Sequence, residues 1–246
     1  MVRPMILSLR DKELARLDCE RLSHRGVDAM ACSVHHAAHQ SFDIDLVSQA
    51  KGFILTSQQA AYALPADHHN RPVFAVGRAS ASAARHRGYR HVFSGPSDGA
   101  ALADMILTQT SYQISDLCWL RARKISFDIT KALAQAGHQS QAHIVYEMRP
   151  EHALPHSIIS AFDEGKITGV MALSKAQLSQ FQLLLDHHDL WHCARACHLY
   201  AVSEPVAKMA EKAGWTTITT ARRKRAISVQ AAVIIEQRQR NKEFHA

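Results

Sequence analysis

Residues 72–89 read "PVFAVGRASASAARHRGY", and residues 198–215 read "HLYAVSEPVAKMAEKAGW". Set 126 positions apart, Ala75-Val76 falls on Ala201-Val202, Ala81 on Ala207, Gly88 on Gly214 and Tyr89 on Trp215. Each stretch holds an apolar run, a small-residue turn, an Ala-rich segment and a glycine. In the first copy, residues 73–76 predict a strand, Gly77 a turn, 79–87 a helix, Gly88 its C-terminal cap and 91–93 the next strand.

The repetition extends along the chain. "GFILTSQQAAYAL" at 52–64 matches "GVMALSKAQLSQF" at 169–181, with Ser57 over Ser174. "MILSLRDK" from Met5 matches "DLCWLRAR" from Asp116, with Leu9-Arg10 over Leu120-Arg121 and Gly26 over Gly137. Three matches in the same order make chance similarity of generic units a poor explanation. Each half then reads strand–helix–strand, strand–helix, strand–helix–strand–helix. Short apolar strands alternating with helices predict parallel sheets covered on both faces. The expected fold is α/β, with two flavodoxin-like domains of about five parallel strands each. The segment "TQTSYQISD" at 108–116 is the best candidate for the boundary between repeats.

The 246 residues suit one large domain or two small ones. A hydrophobic content of 47% and a charged content of 21% leave ample material for a core. No apolar run approaches the ~18 residues of a membrane helix, and Arg10 and Asp11 come too early for a secretory signal. A cytoplasmic protein with no membrane partner is expected. Five scattered cysteines, an odd number, argue against a disulfide framework. The net charge of +7 favours anionic partners, and a polycarboxylate would serve as well as nucleic acid. The one dense basic run, "ARRKR" at 221–225, reads as a solvated loop.

Open α/β sheets bind ligands at the carboxyl ends of their strands. The turns there carry Arg10, Thr56-Ser57, Gly77 with Ser80, Arg121, Ser174 and Ser203. Free N–H groups and the helix dipole make such positions anion sites, and arginine adds bidentate carboxylate recognition. Ser57, Ser174 and Ser203 also stand where helix N-caps belong, and the two roles are compatible.

The chain contains no G-x-G-x-x-G, no G-x-x-x-x-G-K-[ST] and no G-x-S-x-G. Of its 17 histidines, the best metal case is "HHDLWHCARACH" at 187–198, which pairs His188 with His192 and Cys193 with Cys197. That stretch reads as a loop leading into a strand, so no metal site is assigned. "HHAAH" at 35–39 reads as surface loop.

Four segments together resemble the uroporphyrinogen-III synthases. "FILTSQQA" is similar to that family's Phe-Thr-Ser signature, and "FAVGRASASAARHRGY" to its Val-Gly-x-x-Thr-Ala segment, with Ser80 for the threonine. "WLRARKISFDITKALAQAGHQSQAHIVYEMRP" resembles the family's Arg-Gly to Val-Tyr-x-x-x-Pro stretch, including Tyr146, and "VMALSKAQLSQF" its Phe-x-Ser-Pro-Ser segment. The sequence departs from the family pattern at Leu9, Asp11, Ala122, Ser203 and Val206.

The resemblance implies domains that cut across the repeats: 1–33 plus 152–246, and 38–146, joined by a two-stranded linker at 30–37 and 145–151. It implies that hydroxymethylbilane is cyclised to uroporphyrinogen III by a hydro-lyase that needs no cofactor. Tyr146 would be the catalytic residue, and Arg10, Thr56, Ser57, Gly77, Ser80, Arg121, Ser174 and Ser203 the substrate-binding set. A monomer that binds neither nucleic acid nor metal is expected. The alternative is a two-lobed small-anion sensor of the same fold without turnover.

Overall fold

The computed structural model describes residues 4–96, 98–108 and 116–243. Most of the expected repeat boundary, residues 109–115, lies outside the described residues. The chain opens with β1 (Met5–Ser8), α1 (Lys12–Ser23) and β2 (Asp28–Ala31). There follow β3 (His35–His39), α2 (Ile44–Gln49), β4 (Gly52–Leu55), a 3-10 helix (Gln58–Ala63), β5 (Val73–Val76) and α3 (Gly77–His86). Next come β6 (Val92–Gly95), α4 (Gly99–Thr108), β7 (Leu117–Ala122), α5 (Ile129–Gln135) and β8 (Ser140–Pro150). The rest is α6 (His156–Asp163), β9 (Ile167–Ala172), α7 (Lys175–His187), α8 (Trp191–Ala196) and β10 (His198–Ala201). It closes with α9 (Glu204–Lys212), β11 (Ile218–Thr220) and α10 (Ala226–Glu243).

One sheet runs β2-β1-β9-β10-β11, parallel at every pair. Counted in chain order within that sheet, this is the flavodoxin-like order 2-1-3-4-5. The second sheet runs β3-β8-β7-β4-β5-β6, and its β8-β7-β4-β5-β6 portion is parallel. That portion repeats the same order when β7 is counted first. So β7 stands where β1 does, β4 where β9 does and β5 where β10 does. These are the three pairs that match in sequence. Two flavodoxin-like parallel sheets are therefore the architecture, as the alternation of short strands and helices predicted.

The chain divides into two compact units, residues 1–36 with 149–246, and residues 37–148. Both divisions fall inside strands, β3 and β8. Glu151 donates its N–H to the Val34 carbonyl (3.0 Å) and Gln40 donates to Val145 (2.8 Å), which gives these strands an antiparallel sense. The first unit thus takes β1-α1-β2 from one repeat and its remaining strands from the other.

The strands are apolar on both faces because helices cover both. In unit 37–148, Phe53, Leu55, Cys118 and Leu120 enter one buried cluster, while Ile54, Leu117 and Trp119 enter another. Alternate residues of β4 and β7 therefore serve opposite cores. The covering helices carry small residues at the contact, Ala81 and Ala84 on α3 and Ala207 and Ala210 on α9, all buried. Short side chains at this spacing let a helix sit close to its sheet.

The paired glycines have a common cause. A Cβ on Gly169 would stand 2.7 Å from Ile6 Cδ1 and 2.9 Å from Tyr200 Cε2. One on Gly52 would stand 2.8 Å from Leu117 Cδ2 and 2.9 Å from Pro72 Cγ. Gly88 and Gly214 end α3 and α9 with φ of +90° and +94°, a left-handed turn that side chains resist.

Some local expectations need correction. Residues 191–196, read as loop, form α8, because Leu190 and Ala194 stand one helical turn apart and both are buried. Residues 35–39, also read as loop, form β3. Ser57 caps a 3-10 helix instead of an α-helix. Arg121 lies within β7 and Ser80 within the first turn of α3, so neither stands in a turn.

Gly169→Ala should destabilise the protein by about 1–3 kcal/mol, the usual cost of overpacking a filled core. Urea denaturation followed by circular dichroism measures this, and an unchanged midpoint would show that Ile6 and Tyr200 yield freely.

Candidate functional site

In unit 37–148 the strand order reverses between β7 and β4. A cavity of about 290 Å³ opens at their carboxyl ends, lined by residues that include Thr56, Val76, Asp98, Trp119, Lys124 and Tyr146. Thr56 directly follows β4. Tyr146, on β8, stands opposite Ala122 in the β7–β8 register and is 5% exposed. The structure thus brings Thr56 and Tyr146 to one cavity, although 90 positions separate them in sequence.

Trp119 orients Thr56. The indole is buried on the β7 core face, and a buried indole N–H needs an acceptor. It donates to Thr56 Oγ1 at 3.3 Å. With its oxygen accepting there, the hydroxyl proton of Thr56 is left to donate elsewhere. A donating hydroxyl at a strand end suits a carboxylate.

The other expected residues of this unit do not line the cavity. Ser57 Oγ accepts from the Gln59 N–H at 3.2 Å as an N-cap. Gly77 opens α3 with φ of +66°, and Ser80 is buried within that helix. Arg121 is turned back on its own chain: Nη1 donates to the carbonyls of Ala122 (2.9 Å) and Arg123 (3.2 Å). Its guanidinium carbon stands 5.7 Å from the Trp119 ring centroid, a cation–π contact.

In the other unit the order reverses between β1 and β9. Arg10 stands just past β1, and its Nη1 donates to Asp18 Oδ1 at 3.0 Å. Ser174 caps α7 by accepting from the Gln177 N–H at 3.1 Å, while the Gln177 side chain accepts from the Leu173 N–H at 3.1 Å. Ser203 precedes α9 with extended backbone (φ −163°) and makes no capping hydrogen bond. Ser203 is the repeat counterpart of Gly77, so the two turns differ in backbone conformation as well as side chain. Next to Ser174 and Ser203 in sequence, Lys175, Glu204, Pro205, Lys208, Met209 and Lys212 line a cavity of about 500 Å³, with Lys208 Nζ 3.8 Å from Glu204 Oε1. Three ammonium groups against one carboxylate make this wall attractive to anions.

Four of the five thiols are held in the protonated form by burial. Burial pushes Cys32, Cys118 and Cys197 up to about 12 and Cys19 to about 11, so all stay protonated at neutral pH. Cys197 donates to the Ile167 carbonyl at 3.0 Å, and His188 Nε2 accepts from the Leu154 N–H at 3.0 Å. Two of the candidate ligands in 187–198 thus have structural partners. Among the described residues, no group of three or more His, Cys, Asp or Glu side chains is placed to hold a metal ion. No helix among them is long and apolar enough to cross a membrane.

Sequence reasoning missed Trp119, Asp98 and Lys124 at the first cavity and Asp18 beside Arg10. Trp119 lies within a matched segment, but opposite Ser8, and nothing in the pairing marks its indole N–H as the partner of Thr56.

A solved structure of uroporphyrinogen-III synthetase from Helicobacter pylori superposes with a TM-score of 0.61 at 13% identity, covering 94% of this chain and 98% of that one. A wild-type uroporphyrinogen III synthase from Thermus thermophilus matches at 15% identity over 96% of this chain and 99% of its own, with a TM-score of 0.41. A comparison with curated proteins gives no match. The first structure supports the two-sheet fold. Residues 19–229 match the family model described as uroporphyrinogen-III synthase HemD. A match over that much of the chain decides membership: the protein belongs to the uroporphyrinogen-III synthase family.

Proposed function

We propose that this chain cyclises hydroxymethylbilane to uroporphyrinogen III, with inversion of ring D and loss of water. The observation that carries the reading is the family match over residues 19–229. The cavity lined by both Thr56 and Tyr146 supports a reaction site there.

The substrate carries an acetate and a propionate on every ring, so its recognition is recognition of carboxylates. Thr56 offers a hydroxyl proton already oriented by Trp119. Lys124 lines the same cavity with an opposite charge to the substrate. Arg10 and Ser174 offer the same kind of contact in the other unit.

The reaction asks little of acid–base machinery. The electron-rich pyrrole of ring A expels its own hydroxyl, breaking the C–O bond and leaving an azafulvene. The substituted carbon of ring D attacks it, forming the C–C bond of a spiro intermediate. Fragmentation and closure at the other carbon invert ring D, and loss of a proton restores the pyrrole. The Tyr146 hydroxyl would hydrogen-bond the departing oxygen. The larger task is to hold ring D so that the unsubstituted carbon does not close first, which is control by orientation. No step is redox, and the enzyme works without a cofactor in this reading, as a cytoplasmic monomer independent of nucleic acid. The functional domains would be 1–33 with 152–246, and 38–146, with 30–37 and 145–151 connecting them.

Tyr146→Phe should slow turnover about 10- to 100-fold, at or below the usual range of general acid–base assistance, because departure of the hydroxyl needs little help. Steady-state kinetics on hydroxymethylbilane check this, and an unchanged kcat would reduce Tyr146 to a packing residue.

Substrate that escapes closes spontaneously to the type I isomer. Removing the hydroxyl with Thr56→Ala takes away a hydrogen bond to a charged group, a loss of about 1.5–3 kcal/mol, or roughly one to two orders of magnitude in the held complex. The type I fraction should rise as enzyme becomes limiting, as read by chromatography of the oxidised porphyrins. Wild-type protein that yields only type I at the uncatalysed rate would sink the synthase reading and leave the anion sensor.

A further inference from the structure

Asp18 is the only carboxylate in the buried set of the described residues, with 0% of its surface exposed. An isolated buried carboxylate is strongly unfavourable, so its partners reveal what it is for. Ser8 Oγ donates to Oδ2 at 2.8 Å from inside β1. Gln230 Nε2 donates to Oδ1 at 2.6 Å from α10, which lies 212 positions away in sequence. Arg10 Nη1 donates to the same Oδ1 at 3.0 Å. The carboxylate is thus clamped from two elements, and the third partner is the guanidinium at the carboxyl end of β1.

The pair is asymmetric. Asp18 is fully enclosed, while the Arg10 side chain keeps 17% of its surface exposed. Asp18 engages only Nη1, and Nε and Nη2 make no hydrogen bond among the described residues. A planar guanidinium held at one nitrogen by a clamped carboxylate loses much of its rotational freedom, while its other donors stay available. The charge is also balanced: Ser8 and Gln230 are neutral, so Arg10 supplies the countercharge that the buried carboxylate needs.

We infer that Asp18 is a positioning residue: braced by Ser8 and by Gln230 of the C-terminal helix, it holds the Arg10 guanidinium in the orientation that receives a substrate carboxylate. This rests on the proposal that Arg10 contacts hydroxymethylbilane. It adds a residue that none of the sequence motifs singles out, and it gives α10 a part in substrate recognition.

The test is Asp18→Asn in the full-length chain. The amide keeps the shape: its oxygen still accepts from Arg10 and Gln230, and the Ser8 hydroxyl rotates to accept from the new NH2. Only the charge is lost. The expected result is a KM for hydroxymethylbilane raised about 3- to 10-fold with kcat nearly unchanged, the signature of lost uniform binding. In an Arg10→Ala background the same substitution should leave KM where Arg10→Ala alone puts it, since residues acting through one another are not additive.

A merely structural Asp18 would lower thermal stability and leave KM as it was, or would act equally in both backgrounds. Either result overturns the inference. So would an Arg10→Ala protein with wild-type KM. If Asp18→Asn fails to fold, Gln230→Ala loosens the brace while keeping the ion pair, and should raise KM by about 2- to 3-fold through the same route; no change there overturns the inference. Wild-type protein without turnover overturns the parent reading instead, and the inference falls with it.

Discussion

A parallel strand covered by helices on both faces has no place along its length for an unpartnered polar side chain. Nearly everything else in this protein follows from that constraint. β4 and β7 send alternate residues into opposite cores, and both sets are apolar. Polar groups are therefore driven to the strand ends, where Arg10, Thr56, Ser174 and Ser203 stand. These polar residues collect at the carboxyl ends because packing excludes them from the middle. Two polar groups that do lie deep are hydrogen-bonded to strand-end residues: the Trp119 indole meets Thr56, and the Asp18 carboxylate meets Arg10.

The repeat and the compact units tell two different stories about the same chain. In sequence, β1 resembles β7, β4 resembles β9 and β5 resembles β10. In space, β1 joins β9 and β10, while β7 joins β4 and β5. Each sheet therefore combines the opening of one repeat with the continuation of the other. Resemblance follows from equivalent positions in two sheets of the same order. Membership in a sheet follows from hydrogen bonding. The strands β3 and β8, where the division between units falls, are what allow the two arrangements to differ.

The two sets of strand ends are not chemically equal. In unit 37–148 the cavity is small and joins a hydroxyl, an ammonium, a carboxylate and a buried phenol. In the other unit the neighbouring cavity is wider and walled by three lysines and a glutamate. Gly77 turns with positive φ and Ser203 with extended backbone, so even matched turns have diverged in conformation. The two cavities therefore differ in both size and charge.

The sequence by itself determined the fold class, the pairing of repeats and the turns that carry Arg10, Thr56, Ser174 and Ser203, though not the placement of Arg121 and Ser80. These are set by local pattern: apolar runs of strand length, glycines at helix ends, and hydroxyls at the start of helices. It also carried the family, through the order of segments around Thr56, Gly77, Tyr146 and Ser174. What it did not contain were contacts that depend on distance along the chain. Residues 191–196 became a helix because burial of Leu190 and Ala194 outweighed a polar-looking composition. Arg121 matched Arg10 in sequence, yet it folds back on its own carbonyls, while Arg10 meets a buried carboxylate. That difference rests on Asp18 and Gln230: at the same 111-residue offset Asp18 of α1 falls on Ile129 of α5, which is apolar and buried against α4. Periodicity reports which face of an element is buried; only the packed structure decides which partner waits there.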